Sequence, residues 1–382
     1  MTCQKHLFNL DNDVYFLNGA YMSPLLQSVA DAGSRGLLLK LSPNSVTMKH
    51  FLDDVETLRG LFARLINVSV AERVAIIPSV SYGMAIVAKN LEAKSGQNIV
   101  VADAQFPSNV YPWRSVAEEK KLSIKTVVYP NTETSGKDWS ENILSAIDTN
   151  TTLVALAHIH WANGIQYDLE RIGARAREVG ALFVIDGTQS VGALTFDVKK
   201  IKPDALVCGG YKWLMGPYTL GYAYFSERFD NGKPLEENWI NRKGSEDFTQ
   251  LVNYRDEYQP LSKRFDMGER SNFINVPMGI AAITQILEWG TENIQAYLKD
   301  LTEPFLKQLR HVGCTIENAP HTAYHLIGIG LPNNTNAVKL GETLKEKKIF
   351  VSVRGEFVRL SPHVYNDEND MEVFTNAVLN SL

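Results

Sequence analysis

The sequence predicts an α/β protein, with a large domain on a mixed, mostly parallel sheet and a smaller α+β domain toward the C-terminus. Three observations carry this. The 382 residues exceed what a single ordinary core holds. Short apolar runs alternate with helical periodicity through the middle of the chain, and after Cys314 the pattern shifts to short strands and two helices.

The middle is the clearest stretch. Leu153–Ile159 is an apolar run of strand length. Asp168 can then cap a helix whose Leu169, Ile172, Ala176 and Val179 share a face, and Gly180 can end it. Ala181–Ile185 completes a strand–helix–strand unit, with further strands at Ala205–Cys208 and Gly221–Phe225. Upstream, Val74–Ile77 reads as a strand and Met84–Leu91 as a helix. Helical periodicity returns at 279–298, near Ala337–Glu346 and at Asp370–Leu379. No Pro- or Ser-rich linker stands out, so element types place the large domain at 21–260 and the small one at 1–20 with 261–382.

Composition narrows the function classes. With 45% hydrophobic and 21% charged residues and a net charge of -5, the chain has no basic footprint for nucleic acid or an anionic membrane, which leaves small-molecule chemistry. Cys3, Cys208 and Cys314 are odd in number and widely spaced, against a disulfide framework or thiolate zinc site. His158 and His160 share a strand face but lack a third ligand, so no metal is expected. No secretory leader or membrane span is evident, and the expected location is cytoplasmic.

Asp186, Gln189 and Lys212 each lie just beyond an apolar strand run, where ligands of such sheets gather. Singly, Asp186 reads as a turn residue before Gly187, and Lys212 as a surface lysine. Together they match what a pyridoxal cofactor requires: an amine for its aldehyde and an acid that keeps its ring nitrogen protonated. Gly209, Gly210, Gly216 and Pro217 make a crowded turn around Tyr211, Lys212 and Trp213, and a solvated loop would not need two aromatic neighbours for its lysine.

Asp186-Gly187-Thr188-Gln189-Ser190-Val191-Gly192, with the Tyr211–Lys212 pair 26 residues after the aspartate, resembles the class V aminotransferases. That family of pyridoxal 5'-phosphate (PLP) enzymes of fold type I includes cysteine desulfurases, kynureninases and isopenicillin-N-epimerase-like proteins, and the resemblance spans nearly the whole chain. It implies that Lys212 holds the cofactor as a Schiff base, that Asp186 pairs with the pyridine nitrogen, and that Gln189 approaches the phenolic oxygen. Val80 and Ser81, in a turn before a helix, and Tyr211 become phosphate ligands, and Phe106 becomes the ring's packing surface. Trp161 stands near the cofactor or substrate, Arg359 grips the substrate α-carboxylate bidentately, and the segment at Asn18 folds over the site. The stretch with Arg270 and Ser271 resembles one that crosses to the phosphate of a neighbouring subunit, implying a homodimer with shared sites.

The resemblance leaves the reaction open. Between Val351 and Arg359 there is no cysteine and no room for a mobile loop, which disfavours a cysteine desulfurase. An aminotransferase acting on an amino acid or its derivative is expected, with lyase, hydrolase or epimerase chemistry as the alternative. Retention of Lys212, Asp186 and Arg359 together argues against a non-catalytic cofactor-binding module. The loop from Glu236 to Gln259 is expected to shape the entrance.

Overall fold

The computed structural model describes residues 1–132, 134–333 and 335–382. The chain begins with β1 (Tyr15–Phe16), α1 (Gln27–Leu39) and α2 (Met48–Leu65). Seven strands follow: β2 (Val74–Ile77), β3 (Asn98–Ala102), β4 (Ser123–Val127), β5 (Thr151–Ala157), β6 (Leu182–Asp186), β7 (Ala205–Gly209) and β8 (Gly221–Phe225). Between them lie α3 (Val80–Asn90), α4 (Tyr111–Lys120), α5 (Ser135–Ala146), α6 (Leu169–Glu178) and α7 (Val198–Ile201). The chain closes with α8 (Asn275–Trp289), α9 (Thr291–His311), β9 (Ile327–Gly330), α10 (Ala337–Glu346), β10 (Ile349–Phe350), β11 (Ser352–Arg354), β12 (Phe357–Leu360) and α11 (Glu368–Leu379).

The seven strands form one sheet in the order β2-β8-β7-β6-β5-β3-β4. β8 runs antiparallel to both its neighbours, and the other pairings are parallel, so the sheet is mixed and mostly parallel. Burial on both faces explains the continuous apolar runs. Val154 and Leu156 of β5 join a core with α1, α2, α5, α6 and α8, whereas Leu153 and Ala155 face α3 and α4. Because α8 packs on α1 and α2, the core of this sheet draws on residues beyond the 21–260 span.

A second core gathers Leu17, Phe305, Ile329, Leu340, Val358 and Phe374 around the antiparallel β11-β12-β9 sheet, and β1 pairs with β10 beside it. β8 and α10 have the bounds expected from sequence. The 279–298 stretch is instead two helices, broken where Gly290 adopts φ +77°. β5 also ends two residues before its apolar run does, because the chain leaves the sheet at His158. None of the helices among the described residues is long and apolar enough to cross a membrane.

Candidate active site

The turns after β2, β3, β5, β6 and β7 all leave the same edge of the sheet, since these strands share one direction. They open on a cavity of about 390 Å3. Lys212, Asp186, Gln189, Tyr211, Phe106, Trp161, Val80 and Ser81 all line it, so chain segments more than a hundred residues apart converge at the strand carboxyl ends.

Lys212 is 6% exposed, and its Nζ lies 5.5 Å from the ring centroid of Phe106 and 5.6 Å from that of Tyr211. Burial, with Arg359 and Arg354 nearby, outweighs the pull of Asp186 and lowers the amine to about 8. The turn around it is tightly determined: Gly210 N donates to Leu220 O and Gly216 N to Gly210 O, both at 2.8 Å. Trp213 is fully buried, and its Nε1 donates to Gln189 Oε1 at 2.9 Å.

Asp186 sits at the end of β6, where its Oδ1 accepts the Thr188 N–H at 3.0 Å. Burial raises its pKa, opposed by Thr188 and then Lys212. The Thr188 hydroxyl accepts Gly209 N at 3.1 Å, tying the β6 and β7 turns together. Thr188 was not singled out in the sequence, although a threonine two residues after a strand-end aspartate is a readable turn signal.

Gln189 lines the cavity, with its amide tied into the surrounding structure. Its Nε2 donates to Ala20 O at 3.1 Å, while its Oε1 is taken by Trp213. Its amide clamps the N-terminal segment against the floor of the site.

Opposite this floor, Ser79 caps α3 by accepting Tyr82 N at 3.2 Å, and its hydroxyl lies 2.9 Å from that of Ser81. The Val80 and Ser81 N–H groups therefore belong to the first turn of a helix, where no carbonyl of the helix reaches them and the dipole favours an anion. Tyr211 packs edge-on against Tyr218 at 4.7 Å, and burial, Tyr218 and Asp186 push its phenol up to about 12, which keeps it a donor. Tyr218, which also lines the cavity, carries no sequence signal of its own.

Phe106 and Trp161 form the remaining aromatic wall, edge-to-face at 5.5 Å, with Trp161 Nε1 donating to Ala104 O at 2.7 Å. His160 is held between Asn163 and Ala104, whereas His158 packs on Phe196. Arg359 lies just behind Trp161: it is 1% exposed, and its Nη1 donates to the Trp161 carbonyl at 2.7 Å. Its Nη2 donates to Ser352 Oγ at 3.4 Å, and Ser352 donates to Asn18 Oδ1 at 2.7 Å. Asn18 thus supports the arginine from behind and does not line the cavity.

Arg270 and Ser271 stay outside the cavity of their own chain. Arg270 is buried against Asp266, which it shares with Arg59, and the Ser271 hydroxyl donates to Phe51 O. One carboxylate there serves two guanidiniums and Arg270 Nε stays without a hydrogen-bond partner, so within its own chain Arg270 belongs to a buried charge cluster. The 236–259 loop also departs from expectation: its Trp239 and Ile240 lie beside Glu269–Ile274 in a separate groove, and none of its residues lines the cavity. Cys208 is buried on β7, Cys314 lies in the small-domain core and Cys3 near the N-terminus; none lines the cavity.

Comparison with known proteins agrees with this architecture. The chain is 29% identical over 350 residues to a probable cysteine desulfurase of Pyrococcus abyssi, covering 85% of this chain and 82% of the relative. It is 26% identical over 324 residues to the uncharacterized aminotransferase YcbU of Bacillus subtilis, with the same coverages. Among solved structures, C-DES with glycine covalently linked to its PLP cofactor superposes with TM-score 0.89 over 100% of both chains at 20% identity. An apo cysteine desulfurase from Thermococcus onnurineus superposes at 0.83 and 21% identity, over 100% of this chain and 98% of the other.

Pyridoxal 5'-phosphate fits the residues present. A buried amine lies beside an aromatic ring, a buried carboxylate stands at the strand end, and a helix N-terminus faces the same space. The model of the Aminotransferase class-V family matches residues 23–374, and the chain belongs to that family.

Proposed function

We propose that the protein is a PLP-dependent aminotransferase acting on an amino acid. The observation that supports this most directly is the buried Lys212 amine, lowered to about 8 at the wall of an aromatic-lined cavity. When bound, the cofactor supplies a conjugated electron sink for a carbanion beside the substrate nitrogen. Lys212 Nζ holds the cofactor and, once released from it, takes the substrate's Cα proton; a pKa near neutrality suits an amine that must both accept and return a proton. Asp186 would face the ring nitrogen and keep it protonated, Phe106 would pack on the ring face, and the Val80 and Ser81 amides with the Tyr211 hydroxyl would hold the phosphate. Arg359 takes the α-carboxylate. Glu269–Ile274 faces a second copy across the groove containing Leu37 and Phe51, making a homodimer.

A lyase is the second reading. The C-DES fold neighbour is described elsewhere as a cystine C–S lyase in complex with cysteine persulfide, at TM-score 0.86, and a base at Lys212 serves elimination equally well. A desulfurase mechanism through a protein thiol is disfavoured, because the three cysteines lie outside the cavity. A single-turnover panel of amino acids decides among these. Transamination gives one keto acid per site with the amino group retained by the enzyme; release of free ammonia with a cleaved side chain contradicts it.

A further inference from the structure

The hairpin that carries Arg359 carries a second guanidinium. β11 and β12 pair antiparallel, with Ser352 opposite Arg359 and Arg354 opposite Phe357. Residues two apart on a strand, or directly opposite across a pair, share a face, so Ser352, Arg354, Phe357 and Arg359 project from one side. Val353 and Val358 project from the other, into the small-domain core. The polar side turns toward Trp161, which lines the cavity while the two guanidiniums stand behind it: Arg359 bonds the Trp161 carbonyl, and Arg354 Cζ lies 5.5 Å from the centroid of the Trp161 ring. A two-residue turn, Gly355 at φ +57° and Glu356, fixes the spacing.

Both guanidiniums lack an acidic partner among the described residues. Arg359 Nε is buried with no hydrogen-bond partner, and Arg354 donates to its neighbour's carbonyl at 2.8 Å. The buried Arg59 and Arg270, by contrast, share Asp266. Burial depresses both Arg359 and Arg354, and Arg354 adds repulsion at Arg359. One α-carboxylate neutralises one of these charges and leaves the other.

We propose that the substrate carries two acids, its α-carboxylate at Arg359 and a side-chain acid at Arg354, which makes an acidic amino acid the substrate class. This rests on the reading of the cavity as an amino-acid site. A guanidinium stacked on an indole keeps its edge free for a carboxylate in its own plane.

The test uses the PLP-loaded enzyme and two series. In the first, half-saturation of the reaction is compared for aspartate against asparagine and glutamate against glutamine. In the second, binding of non-reacting maleate and glutarate is compared with that of butyrate through the cofactor's spectrum. Acidic ligands should bind at least about tenfold more tightly than their neutral counterparts, the worth of one charge-assisted contact. Arg354→Gln should collapse that ratio toward one, and Arg354→Lys should restore part of it. Equal binding of the two classes overturns the proposal, as does a variant that weakens both classes with the ratio intact. Preferential dicarboxylate binding without turnover of any amino acid keeps the two-acid site and sinks the aminotransferase reading. Turnover without acidic preference does the reverse.

Discussion

Lys212 titrates near 8 because burial and two guanidiniums outweigh one carboxylate. The neutral amine is the form that attacks an aldehyde, so cofactor capture by the cofactor-free enzyme should quicken as pH rises and level off above 8. About a tenth of the amine is neutral at pH 7, against under a thousandth at the ordinary value. Removing a like charge favours protonation, so Arg354→Gln should move the midpoint of the rate–pH profile upward. Asp186→Asn removes the charge that favours the ammonium and should move it downward. A stopped-flow midpoint near the ordinary 10.5 would show that this environment is absent. Lys212 and Asp186 were legible because cofactor chemistry asks for an amine and an acid at strand ends. The fate of Gln189 was not, because the groups that capture its amide, Ala20 and Trp213, lie 169 and 24 residues away in sequence.

Among the elements, β2 at the sheet edge leads into the turn of Val80 and Ser81, and its position depends on a buried charge cluster. Asp266 accepts Ile76 N at 2.7 Å and the Arg59 guanidinium at 2.8 Å, and it also pairs with Arg270. Burial works against its ionised form, but Arg59 and Arg270 more than compensate and lower its pKa. Asp266→Asn leaves the half-buried Glu56 as the remaining counter-charge to the two guanidiniums and should cost about 3 kcal/mol, the lower end of the usual penalty for breaking a buried pair. Urea denaturation measures this directly, and a loss under about 1 kcal/mol would contradict the assignment. The loss would follow the Asp266 carboxyl as pH falls: its depressed pKa means the stabilisation is present at neutral pH and fades in acid. Strand and helix bounds such as β8 and α10 were legible from apolar runs and periodicity. The β11–β12 register was not, since pairing partners are not written in local pattern.

At the scale of the whole molecule, the N-terminal segment joins the two cores at the site. Ala20 accepts from Gln189 on the large sheet, while Asn18 accepts from Ser352, which accepts from Arg359. Asn18→Ala removes a single hydrogen bond behind Arg359, so the half-saturating substrate concentration should rise roughly 2- to 13-fold, the span of one net hydrogen bond. Cofactor affinity should not follow, because Asn18 lies outside the cavity; parallel titrations of substrate and cofactor check this, and a loss of cofactor would contradict it. The separate core around the β11-β12-β9 sheet was legible from the change in pattern after Cys314, but the packing of α8 on α1 and α2 joins segments more than two hundred residues apart.

Lys212 is the residue on which the proposed chemistry depends. Borohydride reduction of the PLP-loaded enzyme, followed by peptide mass mapping, should place one pyridoxyl group on the peptide containing Lys212, and Lys212→Ala should leave no lysine labelled. A label on another lysine, or an unchanged visible absorbance band in Lys212→Ala, would contradict the account.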